Sequence, residues 1–268
     1  MDRLGQGGRC GQHPVRLSRG AHRRREPVLE PGHGNQFWNQ DSQGILDRAE
    51  TEDVLSLSLA AGDLDGDGTD DLAMGVPLED LGRKTDAGAI NVLYGSPVGL
   101  AATGNQLWTQ DSPGILESSG YYEEFGWAMA ARDFDGDGFA DVAASADGEN
   151  LPHAPTAGGV NVLFGGQGGL AADGNQFWTQ DSPGILDASE ESDFFGEAMR
   201  AGDFNGDGAG DLAVGVPWED LQGLVDAGAA NVLFGGPSGL SAVGNEFWDQ
   251  DSPGVGDVAE AGDEFGWM

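Results

Sequence analysis

Trp38, Trp108, Trp178 and Trp248 stand 70 residues apart without a slip in register. A period of that length restricts the chain to architectures made of equivalent supersecondary units stacked on one another. The surroundings repeat as well: Asn35-Gln36-Phe37-Trp38, Asn105-Gln106-Leu107-Trp108, Asn175-Gln176-Phe177-Trp178 and Asn245-Glu246-Phe247-Trp248 are each followed by Gln-Asp-Ser and, two residues on, a glycine. Asp63, Asp133 and Asp203 keep the same spacing, as do Phe125-Gly126, Phe195-Gly196 and Phe265-Gly266, whereas the first unit has Leu55-Ser56 at that position. The units run about 35–104, 105–174 and 175–244, with a partial one over 245–268.

Inside a unit, four apolar runs of strand length alternate with Gly, Asp or Pro. In the third they fall near 194–201, 211–216, 228–234 and 245–249. Leu212-Ala213-Val214-Gly215-Val216 is apolar on both faces with small residues on one, as an inner strand between packed sheets requires. In the next run Ala230, Val232 and Phe234 share one face and Asn231 takes the other. With 47 glycines and 8% aromatics, tight turns between short strands are expected in place of long helices. A 70-residue, four-stranded unit has the size and strand count of a propeller blade. The expected class is therefore all-β, a β-propeller of four-stranded antiparallel blades.

Between the first and second strands lie Asp63–Asp71 (DLDGDGTDD), Asp133–Asp141 (DFDGDGFAD) and Asp203–Asp211 (DFNGDGAGD). Oxygen-bearing side chains recur at loop positions 1, 3, 5 and 9: Asp63, Asp65, Asp67, Asp71; Asp133, Asp135, Asp137, Asp141; Asp203, Asn205, Asp207, Asp211. Calcium takes six to eight hard oxygen ligands, and alternate carboxylates on a loop curled at its glycines can all turn inward. Position 7 adds a backbone carbonyl, from Thr69, Phe139 or Ala209. A helix-loop-helix calcium site needs Glu at position 12, where Met74, Ala144 and Val214 stand, so that motif is excluded. An Asp-Gly turn without metal needs only the central pair, and carboxylates packed this closely repel one another. Three calcium sites are expected, about one per unit, with Asn205 making the third weaker by one formal charge. Magnesium suits a cage of mostly protein oxygens less well.

The formal charge of −34 is uneven, because seven of twelve basic residues fall in the first 25 positions. Beyond residue 30 there are 43 acidic and 5 basic residues, a net of −38. Such a surface repels nucleic acid and disfavours anionic membranes, and divalent cations are its natural counter-charge. No run of eighteen apolar residues occurs, so membrane insertion is not expected. Residues 1–30 share nothing with the repeats and read as a disordered leader or, by preference, a mis-assigned start in place of an export signal. Cys10 is the single cysteine, which excludes an intrachain disulfide. The four histidines do not recur and no nucleophile–base pair is legible, so catalysis is not expected.

The run from Phe195-Gly196 through DFNGDGAGD and Leu212-Ala213-Val214-Gly215-Val216-Pro217 to Gly228-Ala229-Ala230-Asn231-Val232-Leu233-Phe234 resembles the FG-GAP repeat of integrin alpha subunits. The resemblance covers about residues 35–268, the expected propeller domain being 31–268. Departures are Leu55-Ser56 for Phe-Gly in the first unit and Ala144-Ser145-Ala146 for Gly-Val-Pro in the second. In that family the repeats form a seven-bladed propeller with calcium in the first hairpin of some blades, which agrees with the loop assignment above. Three complete units cannot close a ring, so a propeller fragment is expected, completed by further blades of a longer chain or by self-association.

The resemblance also implies a protein or glycan ligand on the face opposite the calcium loops, over residues 78–87, 147–157 and 218–227 and the links 41–53, 111–124 and 181–193. It implies an extracellular or cell-surface interaction module of adhesion or recognition type. A sugar-binding propeller using Trp218, Tyr121 and Tyr122 is an alternative. An accessory domain of a secreted hydrolase is another.

Overall fold

Short strands form wherever the apolar runs are bounded by Asp and Gly, and they assemble in chain order. A computed structural model describes residues 35–267; the basic leader over residues 1–30 lies outside them. The first sheet comprises β1 (Leu59–Gly62), β2 (Asp71–Val76), β3 (Ala89–Tyr94) and β4 (Ala101–Trp108). The second comprises β5 (Met129–Arg132), β6 (Asp141–Ala146), β7 (Gly159–Phe164) and β8 (Ala171–Trp178). In the third, β9 (Ala198–Gly202), β10 (Asp211–Val216), β11 (Ala229–Phe234) and β12 (Ser241–Trp248) follow the same order. Each is an antiparallel meander, and together they are three blades of an all-β propeller.

The boundaries differ from expectation at two places. Residues 194–197, read as strand, form a turn instead: the Phe195 N–H goes to Ala157 O at 2.8 Å and Gly196 is at φ +104°. The fourth strand begins at Ser241 and not at 245, because Gly244 at φ +78° is absorbed by a register shift between Val232 and Phe234. Glycine reads as punctuation here, yet the edge strand runs through it.

The cores lie between blades. The first strands of consecutive blades adjoin, β1 by β5 and β5 by β9. Ala60, Ala73, Ile90 and Val92 of the first blade close on Phe125, Met129, Val142 and Ala144 of the second. Ala143, Val160 and Val162 close in turn on Phe195, Met199, Leu212 and Val214 of the third. At about 1.5–3 kcal/mol per fully buried large apolar side chain, these junctions dominate the stability of the array. Trp108 and Trp178 pack at their outer rims. On the third blade Ala213, Ala230 and Val232 are only half-buried, where their counterparts Ala143, Val160 and Val162 are fully buried.

The Phe-Gly pairs set the spacing of these junctions. Phe125, Phe195 and Phe265 lie against Gly88, Gly158 and Gly228, where any Cβ would come within about 2.4 Å of the phenylalanine backbone. The next glycines, Gly126, Gly196 and Gly266, have φ of +94°, +104° and +99°. In the first blade Ser56 takes that place at φ +72°, keeping its N–H on Gly75 O at 2.8 Å, so the departure from Phe-Gly preserves the turn at a steric cost.

Candidate metal centres

The hairpin loops 63–70, 133–140 and 203–210 sit at one end of their blades, and glycine lets them curl. Positions 4 and 6 are left-handed in all three, from Gly66 at +75° and Gly68 at +89° to Gly206 at +78° and Gly208 at +97°. With the backbone so curled, each acid accepts a backbone hydrogen bond within its own loop. Asp63 Oδ2 takes the Gly68 N–H at 2.9 Å, Asp65 Oδ1 the Asp67 N–H at 3.1 Å, and Asp67 Oδ1 the Thr69 N–H at 2.7 Å. The position-7 residues Phe139 and Ala209 likewise donate to Asp137 and Asp207, both at 2.9 Å.

The ninth position does most to hold the loop. Asp71, Asp141 and Asp211 are buried, and both oxygens of each are engaged. Oδ2 accepts from Leu64, Phe134 or Phe204 at 2.7–2.8 Å. Oδ1 accepts from Gly95, Gly165 or Gly235 in the turn between the third and fourth strands, at 2.7–2.9 Å. One carboxylate thus fastens two turns of the same blade. Consecutive loops are also joined: Ala140 N–H donates to Asp63 O at 2.9 Å and Gly210 N–H to Asp133 O at 2.7 Å.

These contacts bring oxygens of Asp63, Asp65 and Asp71 within 4.8 Å of one another, and likewise those of Asp133, Asp135 and Asp141. Two oxygens bound to one calcium at about 2.3–2.6 Å lie at most about 5 Å apart, so both triads have the right span. Asp63 Oδ1 is buried with no hydrogen-bond partner, a lone pair left for a cation. Burial pushes the Asp141 carboxyl up to about 7, with Asp135 and Asp133 adding to it, against the opposing pull of the two N–H donors. Burial raises Asp71 and Asp135 in the same direction. A divalent ion would supply the charge these carboxyls lack.

Position 5 stands outside the triads. Asp67, Asp137 and Asp207 are exposed at the loop tips, where a small inward swing or a bridging water would connect them to an ion. In the third loop Asn205 gives its amide N–H to Asp207 Oδ2 at 2.9 Å and accepts the Asp207 N–H at 2.8 Å, a self-satisfied arrangement with one carboxylate fewer.

The other end of each blade carries a second repeating set that the loop motif does not reveal. Glu79, Glu149 and Glu219, from the connections between second and third strands, are buried. Each accepts a hydrogen bond from the amide of Gln40, Gln110 or Gln180, at 3.1, 2.7 and 2.5 Å. Gln40 Nε2 also reaches Asp47 Oδ2 at 2.9 Å and Asp53 Oδ2 at 3.2 Å. The legible signal is a Gln with acids 7 and 13 residues on and Glu 39 residues on, in all three units. The expected ligand-face segments do meet here: Tyr122 N–H bonds to Thr85 O and Ser192 N–H to Pro155 O, both at 2.9 Å.

The FG-GAP repeat family matches residues 57–93, 125–163 and 195–233, one match per blade. Integrin alpha-PS2 of Drosophila melanogaster is 30% identical over 208 residues, 76% of this chain and 13% of that protein. Phosphatidylinositol-glycan-specific phospholipase D of Bos taurus is 36% identical over 118 residues, 44% of this chain and 14% of that protein. The matched segments thus span about one seventh of the length of either relative. Among solved structures, the rhamnogalacturonan lyase YesW aligns at 14% identity with a TM-score of 0.43, over 76% of this chain and 35% of that one. Among the described residues no helix is long and apolar enough to cross a membrane. With one matched repeat per blade and an alpha-integrin alignment across three quarters of its length, the chain is an FG-GAP repeat protein that resembles the integrin alpha subunits.

Proposed function

We propose that this chain is a calcium-stabilised, non-catalytic interaction module that works outside the cell in adhesion or surface recognition. The observation that carries the metal reading is the acidic triad of the first two hairpins, in the first of which Asp63 Oδ1 is buried without a hydrogen-bond partner. Calcium stiffens the hairpins and, through the Asp63–Ala140 and Asp133–Gly210 backbone bonds, each blade against the next. Recognition of a protein or glycan then falls to the opposite end, where the units differ most. The test is calcium titration followed by thermal melting: saturable binding with a rise in Tm supports the reading, and a Tm indifferent to calcium and chelator overturns it.

A second reading draws on the phospholipase D relatives, in which the matched segment is a small part of an enzyme's length. Here the blades would be an accessory module, presenting a catalytic domain to a surface. The exposed pair Tyr121 and Tyr122 favours a sugar surface for such docking, since aromatic faces stack on sugar rings. Trp218 suits it less, being packed between Phe194 and Trp267 at centroid distances of 4.8 and 5.0 Å. Glycan-array binding that is lost in Tyr121→Ala/Tyr122→Ala decides between sugar and protein recognition.

A further inference from the structure

Two backbone hydrogen bonds cross each blade junction at the hairpin end, and all of them touch residues that hold the acidic triads. At the first junction Ala140 N–H donates to Asp63 O at 2.9 Å and Gly166 N–H to Leu64 O at 3.0 Å. At the second, Gly210 N–H donates to Asp133 O at 2.7 Å and Gly236 N–H to Phe134 O at 3.0 Å. On the donor side, Ala140 precedes Asp141, and Gly166 follows Gly165, whose own N–H holds Asp141 Oδ1 at 2.9 Å. On the acceptor side, Asp63 belongs to the first triad, and the Leu64 N–H holds Asp71 Oδ2 at 2.8 Å. A continuous path thus runs from Asp71 through Leu64 and the Gly165–Gly166 turn to Asp141. It continues through Phe134 and the Gly235–Gly236 turn to Asp211.

Packing leaves this path little slack. Leu64 and Phe134 are fully buried in the cores between blades. A Cβ on Gly165 would collide with the Ala140 carbonyl, and one on Gly235 with the Gly210 carbonyl, so each turn reaches the hairpins because glycine stands there. Close-packed groups joined by short bonds transmit a displacement without absorbing it. The third hairpin is held differently: Phe204, the counterpart of Leu64 and Phe134, is 53% exposed, so the described blades support that loop from one side.

We propose, resting on the calcium reading above, that the hairpin sites fill cooperatively, each occupied loop ordering its neighbours through the Leu64 and Phe134 crossings. Asp133, Asp135 and Asp141, once gathered on an ion, hold Ala140 and the Gly165–Gly166 turn in place. Those two donors fix the Asp63 and Leu64 carbonyls, and with them the Asp63 side chain and the N–H that holds Asp71. The conformational entropy of ordering the first loop is then already lost before its own ion arrives. Coupling of this kind is reciprocal, so the first loop favours the middle one by the same factor. The middle loop has a crossing on either side and matters most to the other two. Electrostatics acts the other way, since each ion thins the negative field that draws the next, but salt at 0.15 M screens exposed charges beyond about 8 Å.

The test is calorimetric titration of the full chain with calcium in 0.15 M salt. Asp135→Ala removes a carboxylate of the middle triad and none of the crossing donors or acceptors. It is expected to leave two bound ions, both weakened about fivefold or more. Field effects alone predict the reverse, because the emptied loop keeps the three charges of Asp133, Asp137 and Asp141, more than the occupied parent loop. Two ions of parental or higher affinity overturn the coupling and leave the calcium reading standing; an unaltered chain that takes up no calcium overturns both. Gly166→Pro with Gly236→Pro deletes two crossing N–H groups and no carboxylate. Adding Asp135→Ala to that pair is expected to leave the two remaining affinities where the pair alone put them. The same weakening with and without the crossings would assign the effect of Asp135→Ala to some other route and overturn the proposal. Should the glycine variants not fold, the Asp135→Ala titration decides alone.

Discussion

The two ends of each blade carry similar numbers of acids and handle them oppositely. At the hairpin end the carboxylates line a glycine-curled loop, and each accepts a backbone N–H from within its own loop. At the linking end the acids come from separate segments, and the buried Glu149 and Glu219 take their donor from a glutamine amide. The first arrangement is local, and backbone donors hold the loop in shape. The second is assembled by tertiary structure and has fewer donors than acceptors. Regularity of sequence thus marks the end whose geometry is self-contained, and burial marks the end whose charge balance is incomplete.

Removing calcium separates the two ends most forcefully. On the calcium reading proposed above, each hairpin ion would contribute about 2.7 kcal/mol at a hundredfold excess over its Kd, so three together would approach about 8 kcal/mol. Chelation is accordingly expected to lower Tm by roughly 15 °C or more, read by calorimetry. A smaller loss follows from Asp141→Ala, which strips the partners from the Phe134 and Gly165 N–H groups at once. Hydrogen bonds to a charged group are worth about 1.5–3 kcal/mol each, so about 3 kcal/mol or more should vanish even in chelator. Asp137→Ala, at an exposed tip, is expected to weaken one calcium site and cost little in chelator. If the two variants behave alike in denaturant titrations without calcium, the ninth position has no structural role of its own.

Acidity sharpens the contrast from the other side. Burial, with neighbouring acids adding to it, pushes Glu79 and Glu149 up to about 8 and Glu219 up to about 9. Their folded values lie above the ordinary glutamate value of 4.5, so the folded chain binds the extra protons. That contribution is fully present below pH 4.5 and is lost as pH rises through 8 to 9, the sign opposite to that of a salt-bridged carboxylate. In chelator, stability is expected to fall steadily from pH 5 to pH 9, and Glu149→Gln with Glu219→Gln to flatten the slope. A slope that the double variant leaves unaltered would assign the trend to the general surface charge.

How much of this was legible follows from the same contrast. The hairpin loops could be read because every ligand position lies within nine residues and recurs at a fixed spacing, and the inner strands because both faces are apolar. Strand edges were misjudged at residues 194–197 and 241–244, where Phe-Gly looks like strand and Gly244 looks like turn until the neighbouring blade is present. The second acidic set was present in the sequence as Gln110, Glu117, Glu123 and Glu149 with their 70-residue counterparts. A separation of 39 residues carries no local geometry, and only the fold shows which of the 46 acids are buried together.

The subtlest difference lies within the hairpin end itself, at Asn205. In the third loop its amide occupies Asp207 Oδ2 at 2.9 Å, a donor that Asp65 and Asp135 cannot offer in the other two. Asn205→Asp therefore removes a hydrogen bond and adds a charge among Asp203, Asp207 and Asp211. Without calcium the variant is expected to be less stable by about 0.5–1.5 kcal/mol, the net worth of one ordinary hydrogen bond. With calcium the added carboxylate becomes a ligand, and the third site should tighten toward the affinity of the first two. The two effects have opposite sign, so the gap in Tm between calcium and chelator widens even though each shift is small. A variant that moves both melting points in the same direction would show that Asn205 stands outside the ligand set.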